Sequence, residues 1–233
     1  AKYASMVEGM DKSLGDIMDH LEQKNITENT IILFMSDNGG LSAVARGGEK
    51  HTHNKPLASG KGSIYEGGIR EPMLVKWPGK IKPNSSTDNY LIIEDFYPTI
   101  VEMAGLDNVE TVQKIDGESF VPILKGEIRA YDERPLFWHY PNEWGPSGPG
   151  IGAASAIRQG DWKLIYFYEN QKIELFNLNE DIGETKNLEN QYPEKVEELA
   201  HILTNYLKKV NAQIPLDKLT KKPIPYPVDV LKI

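Results

Sequence analysis

Thr30-Ile31-Ile32-Leu33-Phe34-Met35-Ser36-Asp37-Asn38-Gly39-Gly40 is the stretch on which the fold class turns. Its first six residues are β-branched or bulky, and almost all apolar, without alternation. That is the pattern of a strand covered on both faces, as in a parallel sheet. The run stops in a polar, glycine-rich turn, and open α/β sheets place ligands at the carboxyl ends of such strands. Upstream, Tyr3, Met6, Val7, Met10, Leu14, Ile17, Met18 and Leu21 recur three or four apart and predict an amphipathic helix from about Ala4 to Lys24. Its stripe needs a sheet or another helix to cover it. The pattern is already under way at residue 1, so the expectation is a chain cut from something longer, with any targeting segment upstream.

Downstream, Leu41 to Tyr65 is rich in Gly, His, Lys and Arg without apolar period and reads as a long surface loop of a functional kind. Pro72 to Trp77 reads as a second inner strand stopped by Pro78-Gly79, and Glu94 to Ala104 as a short helix closed by Gly105. Asp107 to Asp132 reads as a connector. Beyond Arg134 the character changes to short aromatic strands at Leu136–Tyr140, Ala154–Arg158, Trp162–Tyr168 and Ile173–Leu178. A helix follows with Pro193 at its first position, Lys208 and Lys209 at its end, and a stripe of Val196, Leu199, Leu203, Tyr206, Leu207 and Val210. The expected organisation is an α/β part over 1–132, a small antiparallel sheet with a C-terminal helix over 133–213, and an extended proline-rich tail over 214–233.

Composition narrows the chemistry. The chain has 233 residues, no cysteine and a formal charge of −8. Disulfide scaffolds, thiolate metal sites and cysteine nucleophiles are excluded. The acidic balance argues against nucleic acid as a partner. No apolar run approaches the roughly 18 residues of a membrane span.

Three groups of residues carry chemistry. Asp37 and Asn38 set a carboxylate beside an amide oxygen, both hard ligands suited to calcium or magnesium, although the same residues also make an ordinary turn. Gly60-Lys61-Gly62-Ser63 lacks the leading glycine of a nucleotide loop, since position 55 is Lys55. Lys61 is therefore either a solvated loop lysine or an approachable point charge for a tetrahedral oxyanion. Arg46, Lys50, His51, His53 and Lys55 form a local positive patch that would attract an anion, with His51 and His53 either solvated or facing substrate. His139, on an aromatic strand, reads as a packed, hydrogen-bonded histidine, with a catalytic histidine as the other reading.

Six collinear blocks resemble the C-terminal half of an arylsulfatase-type sulfatase of the alkaline-phosphatase-like superfamily. They are Ser36 to Gly40, Gly60 to Pro72, Trp77-Pro78-Gly79, Tyr97 to Gly105, Asp116 to Phe120, and Ile157 to Leu164 with Leu175 to Leu178. The resemblance implies an α/β fold: the C-terminal part of the sulfatase sheet domain, then a small antiparallel sheet and a C-terminal helix. It implies a sulfuric ester hydrolase using calcium and a formylglycine made from Cys or Ser in a C/S-x-P-x-R motif. It gives Asp37 and Asn38 to the metal, with magnesium as the other candidate ion, and Lys61 to the sulfate oxygens. Arg46, His51, His53 and His139 become candidate substrate-binding residues. The only Ser-x-Pro, Ser147-Gly148-Pro149, has Ile151 where the motif needs arginine. The formylglycine is therefore expected in an N-terminal half upstream, and the chain alone is expected to be inactive.

The expected substrate is a sulfated sugar or aryl sulfate, and the expected location, from the resemblance, is periplasmic or extracellular. A phosphatase or phosphonate hydrolase of the same superfamily is the alternative enzyme, and a non-catalytic glycan-binding or structural fragment the alternative of another class. A sheet lacking its upstream strands would leave an apolar face open to oligomerisation.

Overall fold

The computed structural model describes residues 2–41, 54–106, 109–127, 133–142 and 148–231. The chain divides into two compact units, one formed by residues 1–35 and 73–129, the other by 36–72 and 130–233.

In the first unit, helix α1 (Lys2–Gln23) is followed by a single 3-10 turn and strand β1 (Ile32–Met35). The strand pairs antiparallel with β2 (Met73–Lys76), Leu33 opposite Val75 and Met35 opposite Met73. The parallel, fully buried strand expected from the apolar run is thus not what the described residues contain. Every residue of β1 is half-buried. Absence of alternation reports that both faces are partly covered, and it carries no information about strand direction. Met6, Met10 and Ile17 of α1 and Leu74 of β2 are exposed.

Helix α3 (Phe96–Met103) is entered through a 3-10 turn and left through Gly105 at φ 71°. Asp95, fully buried, locks this region: its carboxylate accepts the N–H of Ile92 at 3.1 Å and of Glu118 at 2.9 Å. Thr99 then accepts the N–H of Phe120 at 3.0 Å, just before the short helix α4 (Val121–Leu124). Two of the resembling blocks are in this way one structural device, since Gly117 packs where any Cβ would lie 1.9 Å from the Glu94 carbonyl.

The second unit is built on an antiparallel meander, β3 (Leu136–Tyr140), β4 (Ala154–Gln159), β5 (Trp162–Phe167) and β6 (Lys172–Asn177). One face buries Ile157, Leu164, Tyr166 and Leu175 against Val196, Leu199, Leu203 and Leu207 of helix α5 (Pro193–Lys209). The other face, with Ala156, Ile165 and Phe176, is covered by Ile64 and Tyr65. Residues before the sheet in sequence therefore form part of its core. The chain past Ile214 does more than extend: Leu216 bridges to Pro223, the Tyr166 hydroxyl donates to the Pro225 carbonyl at 2.9 Å, and a last turn of helix, α6 (Pro227–Val230), seats Val228 against Thr204.

Candidate active site

All the described candidate residues belong to the second unit. The turn after β1 carries Asp37, which is exposed, and Asn38, whose amide donates to an Asp37 carboxylate oxygen. Ser36 caps the turn by donating to the Asn38 carbonyl at 2.9 Å. Gly39 follows with its N–H bonded to the Gly68 carbonyl at 3.2 Å, and a Cβ there would lie 1.8 Å from the Gly67 carbonyl oxygen. Only glycine fits that approach.

Lys61 is brought beside this turn through its main chain, its N–H donating to the Gly40 carbonyl at 3.1 Å, while its side chain is exposed. Asn54, which the sequence reading passes over, ties the two segments together. Its amide donates to the carbonyls of Gly40 at 2.7 Å and Ser59 at 2.9 Å, and its oxygen accepts the N–H of Gly40 at 3.1 Å. A short helix, α2 (Glu66–Ile69), supplies the platform. Cβ atoms on Gly67 and Gly68 would lie 2.2 Å from the Ala58 carbonyl and 2.1 Å from the Ser63 carbonyl. The Asp37–Asn38 turn and the Lys61 segment are thus both packed, backbone on backbone, against one pair of glycines.

The donor chemistry of the turn suits a hard cation. Glu71 has a buried carboxylate oxygen without a hydrogen-bond partner, and burial together with the Asp37 charge pushes its carboxyl up to about 7. A bound cation would relieve that repulsion. Among the described residues no group of three His, Asp or Glu side chains is gathered, so an oxygen site of six or more ligands needs others from elsewhere.

Behind the platform lies a buried ionic cluster. Lys163, fully buried on β5, has its Nζ 2.8 Å from Glu66 Oε1 and 2.8 Å from Glu184 Oε1. Arg70 Nε donates to Glu66 Oε2 at 2.6 Å, and Glu184 Oε2 accepts the Glu66 N–H at 2.6 Å. Burial pushes Glu66 up, but Lys163 and Arg70 together overcome it and hold its carboxyl below the usual range. Glu184 shares Lys163 without a cation of its own, and burial pushes it up to about 7. A lysine standing alone in the otherwise apolar run Trp162 to Phe167 was the available signal for this cluster.

That shift has a consequence for stability. The native state holds the Glu184 proton more tightly than the unfolded chain does, so the stability this group contributes is full below pH 4.5 and is lost as pH rises through about 7. The span is about 3 kcal/mol. Urea denaturation from pH 5 to 8 should give a falling difference curve between wild type and Glu184→Gln. A difference independent of pH would rule the shift out.

His139 is engaged within its own subdomain. Its Nε2 lies 3.0 Å from the Gln213 carbonyl, which only accepts, so that nitrogen carries the hydrogen. In the neutral ring Nδ1 accepts from Ser155 Oγ at 2.7 Å, and Ser155 Oγ lies 2.8 Å from the Tyr168 hydroxyl, which can then donate to it. Arg46, His51 and His53 lie outside the described residues.

Residues 59–213 match the family described as N-sulphoglucosamine sulphohydrolase, C-terminal, and residues 1–106 match the family described as Sulfatase. A sulfatase of Formosa agariphila is 36% identical over 97% of this chain and 43% of its own length. The steryl-sulfatase of Rattus norvegicus is 31% identical over 72% of this chain and 29% of its own. The chain thus spans less than half the length of these curated relatives. Among solved structures, Ps i-CgsB in complex with k-i-k-neocarrahexaose superposes with a TM-score of 0.71 at 30% identity, covering 88% of this chain and 42% of that one. Another, in complex with its substrate D-glucosamine-2-N,6-O-disulfate, reaches 0.69 at 26% identity over 90% of this chain and 40% of that one. These matches establish that the chain belongs to the sulfatase family.

Proposed function

We propose that this chain forms part of a calcium-dependent sulfuric ester hydrolase acting on a sulfated carbohydrate, outside the cytoplasm. The observation that carries the reading is that the Asp37–Asn38 turn and the Lys61 segment pack on one glycine platform and are joined by the Lys61 N–H donating to the Gly40 carbonyl. The sugar ligands of two structural neighbours support the substrate class. No described helix is long and apolar enough to cross a membrane.

Hydrolysis of a sulfate ester cleaves the S–O bond and leaves an alcohol and sulfate. Charge builds on the sulfate oxygens and on the departing oxygen, and fixed positive groups aimed there lower the barrier. Lys61 holds the sulfate oxygens as a point charge, and its flanking glycines Gly60 and Gly62 leave room for the group to approach. Asp37 and Asn38 would hold the calcium, which when bound neutralises sulfate charge and favours ionisation of the nucleophile. Asn54 keeps the metal-side turn and the Lys61 segment in mutual register. A formylglycine, the nucleophile implied by the family, has no precursor among these 233 residues and would be contributed by sequence outside them.

The test is turnover of a generic aryl sulfate by the complete enzyme. Lys61→Ala and Asp37→Ala should each lower kcat/KM by roughly 100-fold or more, and Asp37→Ala should also weaken calcium binding measured by calorimetry. Unchanged turnover in either variant removes the role given to that residue. Preferential cleavage of aryl phosphate over aryl sulfate would overturn the reaction class.

A further inference from the structure

The ionic cluster touches neither sulfate nor metal in this reading, yet it grips the platform on which both rest. Glu184 sits at φ 51°, a left-handed conformation that glycine or asparagine adopts more readily. What favours a glutamate there is its carboxylate, which takes the Glu66 N–H with one oxygen and approaches Lys163 with the other, while Lys163 in turn holds the Glu66 side chain. Glu66 is therefore held by main chain and side chain at once, directly before Gly67 and Gly68. Gly183 adds a second contact of the same turn, since a Cβ there would lie 3.0 Å from the Pro56 carbonyl.

We propose that Glu184 is a positioning residue for Lys61 and the Asp37–Asn38 turn, acting through Lys163 and Glu66 on the Gly67–Gly68 platform. The inference rests on the roles given above to Lys61 and Asp37. The charged and titratable groups facing Glu184 are Lys163 from β5, Glu66 at the start of α2, and Tyr65 just before it. Arg70 and Arg158 act on it through Glu66. Ionisation of Glu184 makes the hydrogen bond that it accepts from the Glu66 N–H charge-assisted, so the main-chain hold on Glu66 tightens even as two carboxylates sharing one lysine lower the stability of the native state as a whole.

The experiment uses the complete enzyme and two variants. Glu184→Gly removes the carboxylate while easing the left-handed backbone. Amide hydrogen exchange across residues 58–68 should then speed up by about tenfold or more, with exchange in β4 and β5 unchanged. Aryl sulfate kcat/KM should fall by roughly 10- to 100-fold, and by a clearly smaller factor when Lys61→Ala is already present, the remainder being the share exerted through the Asp37–Asn38 turn. Glu184→Gln keeps an acceptor for the Glu66 N–H but drops the charge, so it should match wild type at pH 6 and lose several-fold in kcat/KM at pH 8. Wild-type exchange over 58–68 in Glu184→Gly, a full additive loss on the Lys61→Ala background, or equality of Glu184→Gln at both pH values overturns the proposal. Should Glu184→Gly fail to fold, exchange and the pH comparison in Glu184→Gln decide. If Lys61→Ala alone retains full turnover, the sulfate role of Lys61 falls, and the positioning role is then judged on exchange.

Discussion

Lys163→Met should lower the stability of the second unit by about 3–5 kcal/mol, the cost of removing one partner from a buried ion pair and leaving a carboxylate without compensation. Methionine matches the lysine stem in volume, so little of the loss comes from packing. The two carboxylates that share Lys163 then face each other across the gap, with Arg70 at 2.6 Å and Arg158 at 3.9 Å as the cations left near Glu66 among the described residues. Glu184 can escape by taking a proton, so the destabilisation should be smaller at pH 5.5 than at pH 8. Adding Glu184→Gln to Lys163→Met should recover part of the loss at pH 8. Chemical denaturation at the two pH values, followed by tryptophan fluorescence, measures this directly. A loss below about 1 kcal/mol at pH 8 would mean that the cluster is a solvated surface pair, which its burial contradicts.

Gly68→Ala is the second large effect. The added methyl would lie 2.1 Å from the Ser63 carbonyl oxygen and 2.7 Å from the Gly60 carbonyl oxygen, both main-chain atoms that cannot swing aside. Residues 60–63 must move as a body, and Lys61 is among them. Overpacking of this kind typically costs about 1–3 kcal/mol, but the functional loss should exceed the structural one. A displacement of about 1 Å in a positioned charge is enough for roughly 100-fold in kcat/KM. Gly15→Ala provides the control. It lies inside α1 with nothing within 4 Å of the new methyl, and the higher helix propensity of alanine should make it neutral or stabilising by up to about 1 kcal/mol. Near-wild-type turnover in Gly68→Ala would show that the glycine pair does not set the position of Lys61.

Much of the second unit is legible from sequence for a simple reason. Its strands are short, aromatic and punctuated by Gly, Asn and Asp, and the structure places all four within a residue or so of where those signals set them. Pro193 at the first helical position and the paired lysines at the last turn bound α5 equally well. The direction of β1 was not legible, because an apolar hexapeptide says that its faces are covered and nothing about its neighbour's polarity. The packing of the Asp37–Asn38 turn with the Lys61 segment was not legible from spacing, since it depends on main-chain contacts made by Asn54, Gly39, Gly67 and Gly68. Glu184 was invisible for a different reason. Asp181-Ile182-Gly183-Glu184 reads as a turn, and neither the left-handed conformation of its last residue nor the lysine it meets can be inferred from local sequence.

The membership of residues 36–72 in the second unit has a consequence for the order in which a ribosome could complete this protein. The segment that carries Asp37, Asn38 and Lys61 emerges first, and the strands that cover Ile64 and Tyr65 and supply Lys163, with the turn after β6 that supplies Glu184, follow about 100 residues later. Nascent chains arrested before β5 should therefore hold Lys61 on an unanchored stretch of polypeptide. The packing of that segment is thus completed by strands synthesised after it, which makes the antiparallel sheet a checkpoint on the segment encoded before it.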